Sequence, residues 1–113
     1  MSNIINYSEF ENVDIRLGTI VKAYEYKELK KPSIILEIAF GEIIGIKKTS
    51  AQILKHYSPD KILGKQIAAV INFKPKQIGK IMSEVLVLGF PDEENCPVLI
   101  YPDLKLSNGV KLF

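Results

Sequence analysis

The sequence is poor in the residue types that most small metal and redox sites need. Its 113 residues include one cysteine, Cys96, and one histidine, His56. A single cysteine excludes an internal disulfide and the cysteine-rich metal sites, and it fits a reducing compartment. Because a transition-metal site needs several converging ligands, we expect no bound metal and assign His56 a structural or surface role.

Long apolar runs are also missing. No stretch approaches the roughly 18 apolar residues of a membrane span, and the start, MSNIINYSEFENVD, lacks the basic and apolar regions of a signal peptide. We therefore expect a cytoplasmic protein without membrane insertion. The length suits one core, so we assign residues 1–113 to a single domain.

Recognisable catalytic motifs are absent as well. Ser50, Ser83, Glu84 and His56 offer side chains for hydrolysis, but no glycine pattern of a nucleophile elbow and no glycine-rich phosphate loop accompanies them. We expect no enzyme activity, no catalytic residues and no cofactor. The remaining class of function is binding.

Positive charge is unevenly placed along the chain. Residues 43–83 contain eight lysines and one acid, Asp60, whereas residues 84–103 contain five acids and no lysine or arginine. The net charge of +2 is too small to indicate nucleic-acid binding by itself. The exclusion of acids from the lysine-rich segment is the more informative observation, because a general bias toward lysine would not cause it.

Alternating apolar residues predict a protein built from short strands. The expected strands cover 13–23, 33–40, 43–48, 65–73 and 83–90, with a sixth at 97–101. Gly18 is expected to bend or bulge its strand, residues 24–32 to form an exposed connection, and residues 41–42 to form a tight hairpin turn.

Two helices are expected from capping-box spacing. Ser8 and Glu11 predict a short helical turn that packs Phe10 and Val13 against the core. A second helix over residues 50–57, with Thr49 and Gln52 at capping-box spacing, is predicted between the third and fourth strands and is expected to stop before the proline at 59. The Asn-Gly pair near the C-terminus predicts a tail that folds back as a hairpin or reaches a partner.

This layout is typical of an all-β OB-fold. The predicted domain is a five-stranded Greek-key barrel with a short helix between strands 3 and 4 and short terminal extensions. A small β-barrel of another topology is the alternative.

The segment KPKQIGKIM, residues 74–82, is expected to connect the fourth and fifth strands. Its lysines, Lys74, Lys76 and Lys80, would form a basic rim that neutralises phosphates, joined by Lys47 and Lys48. The alternative is a soluble hairpin whose lysines only protect a sheet edge from pairing.

Three segments resemble one known family. FENVDIRLGTIVKA (10–23), KKTSAQI (47–53) and INFKPKQIGKIMSEVLVLG (71–89) are similar, in this order, to the tRNA-binding-domain OB-folds, and most closely to the compact CsaA-type members. The resemblance implies a homodimer that binds tRNA and acts as a chaperone associated with protein export, with unfolded or export-bound polypeptides as partners. The alternative is a stand-alone tRNA-binding module related to the C-terminal domain of methionyl-tRNA synthetase, without chaperone activity.

The resemblance also implies site residues. The family's basic loop and the polar residues beside it correspond to Asn72, Lys76, Ser83 and Glu84, with Ser50 and Gln52 nearby. Where the CsaA-type pattern has two arginines, an aromatic residue and a lysine, this chain has Lys76, Gln77, Ile81 and Met82. Lysine lacks the planar fork with which arginine grips phosphate, so we expect weak and strongly salt-dependent tRNA binding.

Apolar residues in and around the same loop suggest a second kind of contact. Phe73, Ile78, Ile81 and Met82 would line an apolar groove for extended peptides. The apolar terminal segments IINY and VKLF leave more apolar surface than a small barrel can bury, which predicts a homodimer.

Overall fold

The structure, a computed structural model, describes residues 2–28 and 31–113. Its strands are β1 (Ile15–Tyr26), β2 (Ser33–Ala39), β3 (Ile46–Ala51), β4 (Gln66–Val70), β5 (Lys76–Ile78), β6 (Ile81–Ser83), β7 (Leu86–Val87), β8 (Gly89–Pro91) and β9 (Pro97–Leu99). Its helices are α1 (Tyr7–Glu11), α2 (Gly41–Ile44) and α3 (Pro59–Ile62). None of the helices in this part of the chain has the length and apolar character needed to cross a bilayer.

One curled antiparallel sheet forms the body of the molecule. Its strands lie in the order β3-β2-β1-β4-β7. The long β1 pairs with β4 through residues 15–19 and with β2 from residue 19 onward, so a single strand runs through both halves of the curve. The all-β OB-fold prediction is therefore confirmed, including a short helix between β3 and β4.

The core lies on the inner face of this sheet, and Gly18 permits its packing. A Cβ atom at Gly18 would lie 2.5 Å from Cγ2 of Ile38 and 2.8 Å from the ring of Phe40, both of which are buried. Gly18 itself pairs regularly with Ile67. The bulge that we expected at Gly18 lies instead between Ile20 and Lys22.

The predicted tight turn at residues 41–42 is wrong. Residues 41–44 form the helical turn α2, and β3 begins only at Ile46. Gly41 and Gly45 have φ angles of +88° and +81°, a region that glycine enters at little cost. The amide of Gly45 donates to the carbonyl of Gly41 at 2.8 Å. Glycine at both ends therefore allows one helical turn where a two-residue turn was expected.

The predicted helix over residues 50–57 is also wrong. β3 continues to Ala51, and the helix that precedes β4 is α3, which starts at Pro59. Thr49, read as a helix cap in the sequence, is instead buried in the sheet. Ser58 caps α3 by accepting the amide of Lys61 at 3.4 Å. Pro59 starts this helix rather than stopping the earlier one, because its fixed φ suits a first helical position.

The expected connection at residues 74–82 is itself a hairpin. β5 and β6 pair through Lys76 with Ser83 and Ile78 with Ile81, around a turn at Gly79 and Lys80. The strand expected at 83–90 is divided, because β7 pairs with β4 whereas β8 turns away to pair with β9. The predicted sixth strand is present as β9.

The terminal segments lie together on one edge of β1. α1 begins after Asn6, whose amide donates to Glu9 at 3.4 Å, so the helix is capped two residues earlier than predicted. Val13 is exposed rather than packed on the core. The tail pairs along the start of β1, where the amide of Leu17 donates to the carbonyl of Val110 at 3.1 Å. The tail thus folds back, but not as a hairpin.

The connection expected at residues 24–32 is shorter than predicted. Tyr24 and Tyr26 belong to β1 and pair with Ile35 and Ser33 of β2. Residues 29 and 30 of this connection lie outside the described residues.

A charged cluster joins the turn after β3 to the β8-β9 hairpin. Asp92 Oδ2 lies 3.0 Å from Lys55 Nζ and 2.7 Å from His56 Nε2. Its other oxygen accepts the amides of Glu94 at 2.8 Å and Cys96 at 2.9 Å. The Cys96 amide, Lys55 and His56 together hold the pKa of Asp92 well below its ordinary value. The structural role expected for His56 agrees with this position.

This cluster predicts a specific acid dependence. A carboxylate with a lowered pKa stabilises the fold above its unfolded-state pKa, near 3.8, and loses that contribution as pH falls further. We expect Asp92→Asn to lower the free energy of unfolding at pH 6 and to approach wild type as the pH falls from 4 to 2. Urea denaturation across this range measures the difference.

Glu93→Gln is the matched control, because the Glu93 side chain has no hydrogen bond or ion pair among the described residues. It should keep the wild-type acid dependence. A constant difference between Asp92→Asn and wild type at every pH would contradict the assignment.

Candidate nucleic-acid interface

The barrel closes where the segment after β6 meets the edge of β3. The Glu84 amide donates to the carbonyl of Lys48 at 2.8 Å, and a Glu84 carboxylate oxygen accepts the Lys48 amide at 3.0 Å. The Thr49 hydroxyl donates to the carbonyl of Val85 at 2.7 Å and lies 2.8 Å from the Ser83 hydroxyl. We call these contacts the seam. It fixes the base of the β5-β6 hairpin against the sheet.

A groove of about 350 Å³ lies beside the seam. We call it the hairpin groove, and its lining residues are Ser50, Phe73, Lys74, Lys76, Ile78, Ser83, Glu84, Val85 and Leu86. Three separate parts of the chain contribute to it, namely the end of β3, the segment after β4, and the hairpin with the residues that follow it. The fold thus brings together seven of the residues that the sequence predicted for binding.

Three lysines in and beside the hairpin groove form no ion pair among the described residues, although the Glu84 carboxylate also lines the groove. Lys74, Lys76 and Lys80 are exposed, and within residues 2–28 and 31–113 none of them forms an ion pair. Lys47 differs, because its ammonium lies 3.9 Å from Glu84. The unpaired lysines are the ones available to a polyanion.

The tip of the hairpin is held at the far end of β1. The backbone amide of Lys80 donates to the hydroxyl of Tyr26 at 3.3 Å. β6 packs near β3, and β2 lies between β3 and β1 in the sheet, so the hairpin extends across the end of β2. Lys80 therefore projects from a supported turn, although it does not line the groove.

The other predicted contacts lie outside the groove. The Asn72 amide group donates to the carbonyl of Asn12 at 2.7 Å, and its oxygen accepts the amide of Asp14 at 3.0 Å. Gln52 is exposed just beyond the end of β3. Asn72 serves as a tether between the start of β1 and the end of β4, and its contact with RNA stays a prediction.

The four residues predicted to bind peptide do not share one surface. Ile78 and Ile81 are opposite each other in the hairpin, and Ile78 lines the groove with Phe73. Met82 pairs with Gln77, one position along both strands, and side chains alternate between the faces of a strand. Met82 therefore faces away from Ile78 and Ile81.

Four contributing residues were not predicted from the sequence. Thr49 closes the seam, Tyr26 supports the hairpin tip, and Val85 with Leu86 lines the groove. Tyr26 lies in a segment that was expected to be a connection, and Thr49 was expected to cap a helix. Their roles depend on contacts between residues more than 30 positions apart, which local spacing does not reveal.

A small OB-fold barrel with an exposed basic groove beside its strands has the architecture of an oligonucleotide-binding domain. A match to a protein-family model supports this class of domain and narrows it to one family. The chain belongs to the putative tRNA binding domain family, whose model matches residues 15–111.

Two solved structures are similar over nearly the whole chain. Chaperone CsaA from Bacillus anthracis strain Ames is 46% identical with a TM-score of 0.92, and the match covers 98% of this chain and all of that one. The CsaA chaperone protein from Picrophilus torridus is 43% identical with a TM-score of 0.89, and the match covers 97% of this chain and all of that one.

Curated relatives include methionine–tRNA ligases. The ligase of Porphyromonas gingivalis is 28% identical over 105 residues, which cover 93% of this chain but 15% of the ligase. The ligase of Methanococcoides burtonii is 29% identical over 107 residues, again 15% of its length. The chain therefore corresponds to a small part of these enzymes.

Proposed function

We propose that this domain binds tRNA through the hairpin groove and the lysine at the hairpin tip. The observation that carries the proposal is the group of unpaired lysines, Lys74, Lys76 and Lys80, held by a hairpin that is fixed at its base and at its tip. Lysines contact phosphates without selecting sequence, so the recognition is of backbone and shape. Membership of the family supports tRNA as the polyanion.

A chaperone function is the second candidate. Its support is the likeness to two proteins described as CsaA chaperones, which extends over the whole of each chain. The hairpin groove has an apolar part, formed by Ile78, Val85 and Leu86, that suits the side chains of an extended polypeptide. In this proposal the clients are unfolded or export-bound polypeptides.

We further propose that the protein is a homodimer. A second groove of about 460 Å³, largely apolar, lies between the start of β1 and the C-terminal tail and includes Leu106, Leu112 and Phe113. Phe113 is fully exposed, as is Ile4 at the other terminus. Lys111 Nζ donates to the carbonyl of Glu11 at 3.2 Å, which places the tail beside the C-terminal end of α1. A second copy of the chain would cover this apolar surface.

The tRNA proposal predicts a loss of salt dependence in a triple variant. Replacing Lys74, Lys76 and Lys80 with alanine should weaken tRNA binding and reduce the slope of log K against log salt by about 2 to 3, one unit for each lost phosphate contact. Filter binding between 50 and 200 mM salt measures both quantities.

Lys61, Lys65 and Lys105 provide the matched control, because they lie outside the groove and their replacement removes the same charge. That triple variant should bind nearly as wild type. Equal losses in the two triple variants would mean that net charge, and not this site, causes retention.

The chaperone candidate predicts that one face of the hairpin matters. Ile78→Ser together with Ile81→Ser should reduce suppression of aggregation of a denatured client, because both side chains lie on the same face. Light scattering of the client gives the measurement. Met82→Ser, on the opposite face, is the control and should act as wild type. If the double variant protects the client fully, the groove is not the peptide site.

The dimer proposal predicts a concentration-independent mass of two chains by light scattering. Phe113→Asp together with Leu106→Asp should shift the protein to monomer, because a charge would enter the apolar groove. Phe90→Asp, which alters an exposed phenylalanine on β8, should leave the mass unchanged. A wild-type protein that scatters as a monomer at binding concentrations would refute the proposal.

A further inference from the structure

Phe73 is an exposed aromatic side chain that follows an anchored residue. Its residue is 56% exposed, although it lines the hairpin groove. The preceding residue, Asn72, is held by Asn12 and Asp14 through two side-chain hydrogen bonds, of 2.7 and 3.0 Å. The backbone that carries the ring is therefore anchored to the barrel directly before it. Because this backbone is already ordered, contact between the ring and a ligand costs little backbone conformational entropy.

The surroundings of Phe73 combine a flat apolar surface with unpaired cations. Lys74 follows it directly, and Lys76 lines the same groove. Neither lysine pairs with a carboxylate in the part of the chain that the structure describes. The groove also contains the Ser50 hydroxyl, which forms no side-chain hydrogen bond with the described residues.

Two chemical classes of ligand could meet the ring. An apolar peptide side chain would cover Phe73 but leave both ammonium groups and the hydroxyl without partners. A nucleotide supplies both a flat base for the ring and a phosphate for the lysines. Stacking on an aromatic side chain is the usual way in which proteins hold unpaired bases, and it tolerates any base.

We infer that Phe73 stacks on one unpaired nucleobase, while Lys74 and Lys76 contact the adjoining phosphates. This inference rests on the proposed binding of tRNA and makes its ligand more specific. The groove engages nucleotides that are free of base pairing, such as those of a loop, in addition to the backbone of a duplex. The ring thus supplies the stacking surface that the isoleucine at position 81 cannot.

The test compares two RNA oligonucleotides with the same number of phosphates. One is a short single strand that carries every base, and the other has abasic sites along its centre. Wild type should bind the first about tenfold more tightly, as expected for one stacked base. Phe73→Ala should lose this preference but keep the salt slope, because its lysines are unchanged. Phe90→Ala is the control and should retain both properties.

Phe73→Trp gives a second and direct readout. The chain contains no tryptophan, so the new side chain would be its only one. We expect the base-bearing strand to quench the fluorescence of this variant and the abasic strand to have little effect. Phe90→Trp is the matched control, and its fluorescence should respond to neither strand.

The outcomes separate this inference from the proposed function. If tRNA does not bind at all, the proposed function fails and takes the inference with it. If tRNA binds through the lysines but both strands bind equally to wild type, only the stacking inference fails. Quenching of the Phe73→Trp variant by an unfolded polypeptide, without any response to RNA, would assign the ring to peptide binding and overturn the inference.

Discussion

The seam between β3 and the residues after β6 is the contact on which the site depends. β3 and β7 are the two end strands of the five-stranded sheet, and a short stretch of chain just before β7 contacts β3. Side-chain hydrogen bonds supplement the few backbone hydrogen bonds at this contact. Glu84 bonds the backbone of Lys48, and Thr49 bonds the carbonyl of Val85. Thr49 is buried whereas Glu84 is only partly buried, and leaving a buried polar group such as the Thr49 hydroxyl without its partner costs about 1–3 kcal/mol.

Two residues of the seam also belong to the candidate binding site. Ser83 and Glu84 belong to the seam and also line the hairpin groove. Family resemblance had assigned them to RNA binding, but their hydrogen bonds are already sufficient reason for serine and glutamate at these positions. The side chains of Lys74, Lys76 and Lys80 form no hydrogen bond or ion pair with the residues that the structure describes. A distinction thus emerges between the residues that shape the groove and those that give it charge.

The strands of the fold were easier to predict from the sequence than the connections between them. Alternation of apolar residues identified the main strands, because burial of one face leaves a clear period of two. The turn at 41–42 and the helix at 50–57 were wrong. At 41–44 a glycine at each end of the segment allows a helical turn, and at Thr49 a contact across the barrel replaces the helix cap that the local pattern suggested.

The candidate site was predictable to a similar degree. A group of lysines without neighbouring acids indicated that residues 74–82 belong to the candidate site, because the placement of charges can be seen in the sequence itself. The separation of Met82 from Ile78 was not visible, because it depends on the two-residue turn that sets the hairpin register. The support of the tip by Tyr26 joins residues 54 positions apart, and no local pattern records it.

The β5-β6 hairpin is anchored independently at its two ends. Asn72 holds the chain before it, and the seam holds the chain after it. The ten residues between these anchors, 73–82, can therefore change composition without opening the barrel. The ligand preference of the domain can therefore change through substitutions in this segment alone. The barrel that supports the segment would keep its structure.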